Sequence, residues 1–367
     1  MCSWVKKVFP GGNTALGFYS YYDYIIGADA CRLMIIKGGP GVGKSTLMRQ
    51  IATAMLERGF DTELHHCSSD SNSLDGVVFP RLKVALLDGT SPHIVDPKNP
   101  GAVDEIINLG DYWDESGIRR YRSEILQVNQ MCGRLYQRAY RFLRAAKVIY
   151  DDLKSLNREG FKPGKANLKA NGLLKNIFGD LPVCGRPGTL RKLFASAITP
   201  DGFKNYLSTL IEPMNRVFII TGAVGSGKAT LIGKLAEQAV ERGYDCEAYY
   251  CGFDPVKPEH LIIPGLGVAI TTAVEPHRAE VESGKAITVD MNECLDSDII
   301  AGYEAAGAEN HRLIEQLLFK AVALLHEAKL RHDQVEQYYI PNMDFAAIAA
   351  RGEKILERIL NYAVAEC

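Results

Sequence analysis

The sequence predicts an α/β protein made of two tandem units, each with a mostly parallel sheet flanked by helices and a helical extension. Three observations support this fold class. Residues 32–93 align with residues 216–277 without a gap, and roughly a third of the aligned positions are identical. In each copy a short apolar run meets a glycine-rich loop and then a helical pattern. Further strands alternate with helical segments, which is typical of parallel, doubly wound sheets.

The repeat covers nearly the whole chain. An offset of 185 places Phe9 on Phe194 upstream of the aligned block, and an offset of 182 places Lys147 on Lys329 downstream of it. The seam between the copies falls near residue 182. We therefore predict a first unit at 1–182 and a second, diverged unit at 183–367.

The elements of each unit follow in the same order. The first strand spans 33–36 in the first unit and 217–220 in the second, and the helix after the loop ends at Gly59 or Gly243. We expect second strands at 62–67 and 247–251, and third strands at 84–87 and 268–271.

Long amphipathic helices complete each unit. From Ile118, and again over 313–328, apolar residues recur every three or four positions, so this stripe must pack on a sheet, on the other helices or on the sister unit. Two interpretations remain open, an accessory helical hairpin and a lid that moves over a ligand. The basic stretch 154–175 is interpreted as a partly looped, solvated linker, with a polyanion contact as the alternative.

The strongest motif is a glycine-rich loop in the first unit, which matches GxxxxGK[ST] in the required strand–loop–helix context. Glycines let the backbone curl so that its N–H groups point at phosphate oxygens, and the helix N-terminus adds further donors. We expect Lys44 to contact the β- and γ-phosphates and the Ser45 hydroxyl to ligate Mg²⁺. The first loop consists of Gly38, Gly39, Pro40, Gly41, Val42, Gly43, Lys44, Ser45 and Thr46.

A second loop lies at the equivalent place in the second unit. Its predicted nucleotide-binding residues are Gly222, Gly225, Ser226, Gly227, Lys228, Ala229 and Thr230. Ala229 replaces the metal-binding hydroxyl, so this loop is expected to bind phosphate without a well-fixed Mg²⁺. With a phosphate-binding loop in each half, both units are predicted to be P-loop NTPase-like.

A carboxylate that supports Mg²⁺ is expected at the end of a buried strand. Asp88 fits this position in the first unit, where its alternative is a simple strand-end residue. Thr272 is its repeat partner, so the second unit loses both metal-linked groups, unless Asp290 takes the role. Gly89 follows Asp88 where fast motor ATPases usually carry Glu, and no guanine-specific Asn-Lys-x-Asp motif occurs, so ATP is favoured over GTP.

Asp70 is a candidate catalytic base. It follows the second strand, where small-molecule kinases often carry the carboxylate that takes the acceptor's proton, and Asp254 repeats it. The alternative is an Asp that caps a turn.

Other polar groups are weaker candidates. His93 and His277 recur in Pro-His pairs and are either phosphate contacts or structural residues. The run 65–67, His-His-Cys, is not favoured as a metal site, because strand neighbours face opposite sides. Three arginines at the start of the helical region are either cations for developing charge or solvated residues: Arg119, Arg120 and Arg122.

Composition excludes several classes of protein. Apolar residues make up 47% and charged residues 23% of the chain, which is typical of a globular protein. A net charge of -2 gives no reason to expect nucleic acid as a partner, and no apolar run is long enough to span a membrane. Nine scattered cysteines and the absence of a signal-peptide pattern lead us to expect a cytoplasmic protein.

Four phrases resemble a bacterial family of tandem-duplicated P-loop proteins with an ATPase or nucleotide-kinase assignment. They lie at 9–14, 65–70, 87–93 and 100–110, and the resemblance covers the whole chain. It implies a cytosolic nucleotide-binding protein but no substrate, because the family's assignment comes from the P-loop. Site residues are carried over only for the two loops.

These observations predict an ATP-binding protein, most simply a slow Mg²⁺-dependent ATPase with an active first site and a degenerate, regulatory second site. The predicted catalytic residues are Lys44, Asp88 and Asp70, and the predicted metal ligands are Ser45 and Asp88. One alternative is a kinase that uses Asp70 as base on a nucleotide or small metabolite. Another is a non-catalytic ATP-sensing scaffold.

Overall fold

The computed structural model describes residues 3–179, 181–275, 278–282 and 284–363, and it has two six-stranded sheets flanked by helices. The elements of the first half are β1 (Val5–Val8), β2 (Gly11–Thr14), β3 (Gly17–Ser20), β4 (Arg32–Lys37), α1 (Lys44–Glu57), β5 (Thr62–His66), β6 (Leu74–Phe79), β7 (Val84–Asp88), β8 (Asp104–Asn108), α2 (Glu115–Arg119), α3 (Arg122–Glu159) and α4 (Pro163–Phe178). The second half repeats this order with β9 (Leu190–Phe194), β10 (Ser196–Thr199), β11 (Gly202–Asn205), α5 (Ser208–Ile211), β12 (Arg216–Thr221), α6 (Lys228–Glu241), β13 (Cys246–Tyr250), β14 (Pro258–Ile263), β15 (Val268–Thr272), β16 (Ala286–Asp290), α7 (Ser297–Gly302), α8 (Glu304–Tyr339) and α9 (Phe345–Tyr362).

The two sheets share one topology. Their strand orders are β1-β5-β6-β7-β4-β8 and β9-β13-β14-β15-β12-β16. Three of the five pairings in each sheet are parallel, whereas β6 and β14 run antiparallel to both neighbours. The sheets are therefore mixed, and the prediction of mostly parallel sheets missed β6 and β14.

A tight turn explains the antiparallel pairing of β6 with β7. The two strands are joined by a short 3₁₀ turn at Pro80–Leu82, and Lys83 closes the turn in the left-handed region with φ 53°. A connection this short can only return the chain beside the strand it has left. All six residues of β6 are buried, so the strand lacks the alternation by which a half-exposed strand is recognised.

The two halves meet at their edge strands. Phe9 at the end of β1 and Phe194 in β9 exchange both backbone hydrogen bonds, at 2.9 and 3.0 Å. Next to this bridge lies a four-charge cluster, in which two cations and two carboxylates come from equivalent positions of the two halves. Its members are Lys6, Glu63, Arg191 and Glu247. The repeat therefore has an approximate two-fold arrangement in space.

The long helices α3 and α8 pack on each other in antiparallel orientation. Near one end of the pair the rings of Tyr121 and Tyr338 stack at 4.9 Å, and near the other the Tyr303 hydroxyl donates to Glu159 at 2.5 Å. Between them the Cys132 thiol donates to the Ala328 carbonyl. The apolar stripe of each helix is therefore buried partly against the sister unit, one of the three options that the sequence allowed.

The helix after each long helix packs on the core of the opposite half. Helix α9 contributes Ile348, Ile355 and Ile359 to the core around α1, and a Cβ on its Gly352 would come within 2.7 Å of the Leu47 side chain. Helix α4 packs in the same way on α6. The prediction of a partly looped linker at 154–175 is wrong, because these residues end α3 and form most of α4. The boundary near residue 182 describes the sequence repeat, and it stays a prediction.

Candidate functional site

The first loop connects β4, which lies between β7 and the edge strand β8, to α1. Gly41 and Gly43 have φ of 68° and 90°, so the loop uses a backbone conformation that side chains disfavour. Helix α1 begins at Lys44, whose ammonium donates to the carbonyls of Gly38 and Gly39 at 3.0 and 2.8 Å. Val42 is buried in the first core and anchors the loop there, while Thr46 is exposed.

Asp88 lies beside the loop lysine. Strand β7 is the parallel neighbour of β4, so its last residue reaches the sheet edge where the loop begins. Asp88 Oδ2 is 3.5 Å from Lys44 Nζ, and Asp88 Oδ1 accepts hydrogen bonds from the Thr90 N–H at 2.9 Å and the Thr90 hydroxyl at 2.5 Å. The structure thus brings Lys44 and Asp88 together.

Ser45 ties the loop to β6. Its hydroxyl oxygen accepts a hydrogen bond from the Leu74 N–H at 2.9 Å. A serine hydroxyl and a carboxylate are oxygen donors of the type that Mg²⁺ prefers, so the donor set of Ser45 and Asp88 fits that ion.

Asp75 is a site residue that the sequence interpretation missed. It is 4% exposed, and the register that pairs Gly76 with Leu87 brings it beside Asp88. Burial raises the pKa of Asp75, the neighbouring His93 opposes this rise, and the charge of Asp88 adds to it. The available signal was the repeat, since Glu259 places a second acidic residue at the equivalent position.

Asp70 lies in the turn between β5 and β6. Its carboxylate accepts hydrogen bonds from the Ser73 hydroxyl at 2.9 Å and the Asn72 N–H at 3.2 Å, and Lys329 of α8 lies 3.5 Å away. This is the geometry of a turn-capping Asp, the alternative considered from sequence. Asp254 is held in the same manner by Lys147 of α3, at 3.4 Å.

His93 is buried between aromatic rings. It stacks on Tyr22 with ring centroids 4.7 Å apart, and Phe18 lies at the same distance in a tilted orientation. His93 Nε2 is 3.7 Å from Asp75 Oδ2. His277, its predicted counterpart, lies outside the described residues. The three arginines considered from sequence are exposed, and one of them, Arg119, pairs with Glu115.

The second loop has similar backbone geometry and different chemistry. Gly225 and Gly227 have φ of 84° and 94°, and Lys228 donates to the carbonyls of Gly222 and Ala223. Burial, and then repulsion by Lys257, lower the pKa of Lys228 to about 8.

The groups around the second loop do not fit Mg²⁺. Thr272 stands where the first unit has Asp88, and Ala229 offers no ligand. The remaining acid, Glu259, already pairs with Lys257 at 3.0 Å. Asp290 accepts from Thr221 and from the Asn292 N–H at the end of the edge strand β16.

Each loop is covered on its outer side by helices of the other half. A Cβ on Gly39 would come within 2.7 Å of the Tyr339 ring, at the end of α8. A Cβ on Gly225 would come within 2.9 Å of the Lys154 carbonyl, near the end of α3, and the Asn157 side chain donates to the Val224 carbonyl at 2.9 Å. The long helices therefore form an antiparallel pair, one from each half, that also touches the loops. The accessory hairpin expected within each unit is wrong, while movement as a lid stays a prediction.

Comparisons with known proteins do not assign a function to this chain. No protein-family model, functionally described protein or solved structure matches the chain. Within the described ranges, no helix has both the length and the apolar character needed to cross a bilayer. Six cysteines there carry free thiols, and Cys31 is disulfide-bonded.

Proposed function

We propose that the first loop binds Mg²⁺–ATP and hydrolyses it slowly, and that the second loop binds a nucleotide without hydrolysis and regulates the first. The proximity of Lys44 and Asp88, at 3.5 Å, carries this proposal. It joins a phosphate-binding cation and a metal-supporting carboxylate at the edge of the sheet where the loop backbone curls.

The roles of the residues follow from their chemistry. The backbone N–H groups of the loop and the start of α1 bind phosphate oxygens, and Lys44 neutralises charge on them. Ser45 and Asp88 would hold Mg²⁺, which supplies further charge neutralisation when bound. Asp88 is oriented by Thr90, and Asp75 adds a second carboxylate beside it. Gly89 follows Asp88, so this position lacks a Glu that would polarise the attacking water, and this agrees with slow turnover.

The second loop is proposed to bind without catalysis. Lys228 keeps its orientation toward the loop carbonyls, but the hydroxyl and the strand-end carboxylate are absent from its sequence. Lys257 brings a second positive charge close enough to lower the pKa of Lys228. Together with Glu259, which pairs with Lys257, these groups carry a net positive charge that favours an anion there and disfavours a divalent cation.

Steady-state phosphate release by the full chain tests the first site. Lys44→Ala removes the only side-chain cation that we assign to the phosphates of this site, so turnover should fall by about 10²–10³-fold. Asp88→Asn should weaken Mg²⁺ binding, which would be measured as a higher Mg²⁺ concentration at the half-maximal rate. Lys354→Ala, an exposed lysine on α9, is the matched control. Unchanged turnover in Lys44→Ala would refute the assignment.

The same assay separates the alternatives. A kinase transfers the labelled phosphoryl group to an acceptor, whereas an ATPase releases it as inorganic phosphate, so product analysis with labelled ATP distinguishes them. A sensing scaffold would bind ATP and release no product over many protein equivalents. Equilibrium dialysis addresses the second loop, because wild type should bind two nucleotides per chain and Lys228→Ala one.

A further inference from the structure

Three side chains with metal-ligand chemistry converge behind the first loop. Cys67 follows β5, Asp75 lies in β6 and His93 follows β7, and each offers one ligand atom within 4.8 Å of the others. The three positions lie on or just after three consecutive strands, and they meet because β5, β6 and β7 are neighbours in the sheet. None of them belongs to the first loop.

Two of these side chains are buried with unsatisfied polar atoms. Asp75 and His93 are 4% and 7% exposed. Asp75 Oδ2 and His93 Nδ1 have no hydrogen-bond partner in the part of the chain that the structure describes. Among the described residues, the nearest cationic group to Asp75 Oδ2 is His93 Nε2 at 3.7 Å, which is too long for a hydrogen bond. A cation bound between the two groups would satisfy the buried carboxylate.

The surrounding residues fix the ligand geometry. Tyr22 stacks on the His93 ring with an interplanar angle of 15°, and Phe18 packs on the ring as well. Burial, and then the nearby charge of Asp75, raise the pKa of the Tyr22 hydroxyl. Metal sites commonly rely on an outer shell that orients the ligands in this way.

The second half provides an internal comparison. The repeat places Cys251 and Glu259 at the positions of Cys67 and Asp75, and it places Lys257 at the position of Ser73. The Lys257 ammonium lies 3.0 Å from the Glu259 carboxylate. In the second half a built-in cation therefore pairs with the counterpart of Asp75, whereas Ser73 carries no charge. His277, the counterpart of His93, lies outside the described residues.

We infer that Cys67, Asp75 and His93 form a binding site for a divalent transition metal, Zn²⁺ being the best match, in the first half only. A thiolate, a carboxylate and an imidazole are the ligand types of zinc sites, and three protein ligands leave a fourth position open. Mg²⁺ prefers oxygen ligands alone, so the site differs in kind from the one proposed at Ser45 and Asp88. The Lys257 ammonium makes such a site redundant in the second half.

Cobalt substitution of the full-length chain tests this inference. The chain, stripped of metal with a chelator and dialysed, should bind one Co²⁺ with a thiolate-to-metal charge-transfer band and the visible bands of a tetrahedral site. Cys67→Ser should remove the charge-transfer band, and His93→Gln should weaken Co²⁺ binding by more than about 100-fold, beyond the usual effect of losing an outer-shell contact. Zn²⁺ should displace the Co²⁺ and abolish the spectrum.

Matched variants separate this site from other thiols. Cys251→Ser removes the equivalent thiol of the second half and Cys184→Ser an exposed one, and both should keep the charge-transfer band. Ser73→Lys installs the second-half cation without removing a ligand, and it should abolish Co²⁺ binding. Circular dichroism and the unfolding midpoint establish that each variant is folded. The inference is overturned if wild type binds no Co²⁺, or if the band survives in folded Cys67→Ser or Ser73→Lys.

Discussion

Helices α4 and α9 each pack on the core of the opposite half, and this exchange of helices makes a prediction that the sequence repeat alone would not make. Ile359 lies in α9, yet it is fully buried in the core around α1, at the other end of the sequence. Ile359→Ala removes three carbon atoms, which is about 2.5 kcal/mol at about 0.8 kcal/mol for each. The cavity left behind adds about 1 kcal/mol, so we expect a loss of about 3–4 kcal/mol in unfolding free energy.

Tryptophan fluorescence is the assay, because both tryptophans, Trp4 and Trp113, lie in the first half. Urea unfolding followed by this signal reports the first core directly. With a typical m value of about 2–3 kcal/mol per molar urea, the midpoint should fall by about 1–2 M. Ile299→Ala, at a position 41% exposed, is the matched control and should leave the midpoint unchanged. Equal midpoints for Ile359→Ala and the control would refute the exchange of helices.

Three further predictions concern the charges and the loops. Among the described lysines and arginines, Arg191→Met leaves Glu63 and Glu247 with Lys6 alone. It should cost about 3–5 kcal/mol in urea unfolding, whereas Arg186→Met, at an exposed position, should have no measurable effect. In a Lys44→Ala background, the affinity of the second loop for ATP should fall about tenfold between pH 7 and pH 9. The reason is that Lys228 loses its proton near pH 8, while Lys257 and Glu259 stay paired. An affinity that is constant over this range would contradict the lowered pKa of Lys228. In the Trp4→Phe variant, ATP should change the fluorescence of Trp113. The Trp113 ring lies 6.3 Å from the Tyr339 ring, which packs on the first loop. Adding Lys44→Ala should abolish this change.

Local motifs made much of the fold predictable. The first loop needs its glycines, a preceding strand and a following helix, and β4 and α1 stand where that pattern requires them. Gly59, with φ 83°, follows α1 as a helix-terminating glycine should. Asp88 was found because a strand-end carboxylate is a local feature. Each of these predictions depends on residues that are close in sequence.

The missed features depend on residues that are distant in sequence. Asp75 and Gly76 interrupt the apolar pattern of β6, and only pairing with strands on both sides explains why they are buried. The stripe of α9 predicts that Ile355 and Ile359 are buried, but periodicity gives no information about which sheet they pack on. The same holds for the cluster behind the first loop, since Cys67 and His93 meet only through the strand order.

The helix exchange has a consequence for the relation between the two loops. Helix α8 ends against the first loop, helix α3 ends against the second, and the two helices pack on each other over most of their length. Lys329 of α8 also forms an ion pair with Asp70. Asp70 precedes Leu74 in the chain, and the Leu74 N–H donates a hydrogen bond to the Ser45 hydroxyl of the first loop. A ligand that shifts the first loop must therefore either repack Tyr339 or move α8 along α3, and close-packed helices resist small continuous displacements. Regulation by the second loop then requires only that its ligand favours one arrangement of this helix pair over another, by a difference in contacts at Asn157 and Phe161.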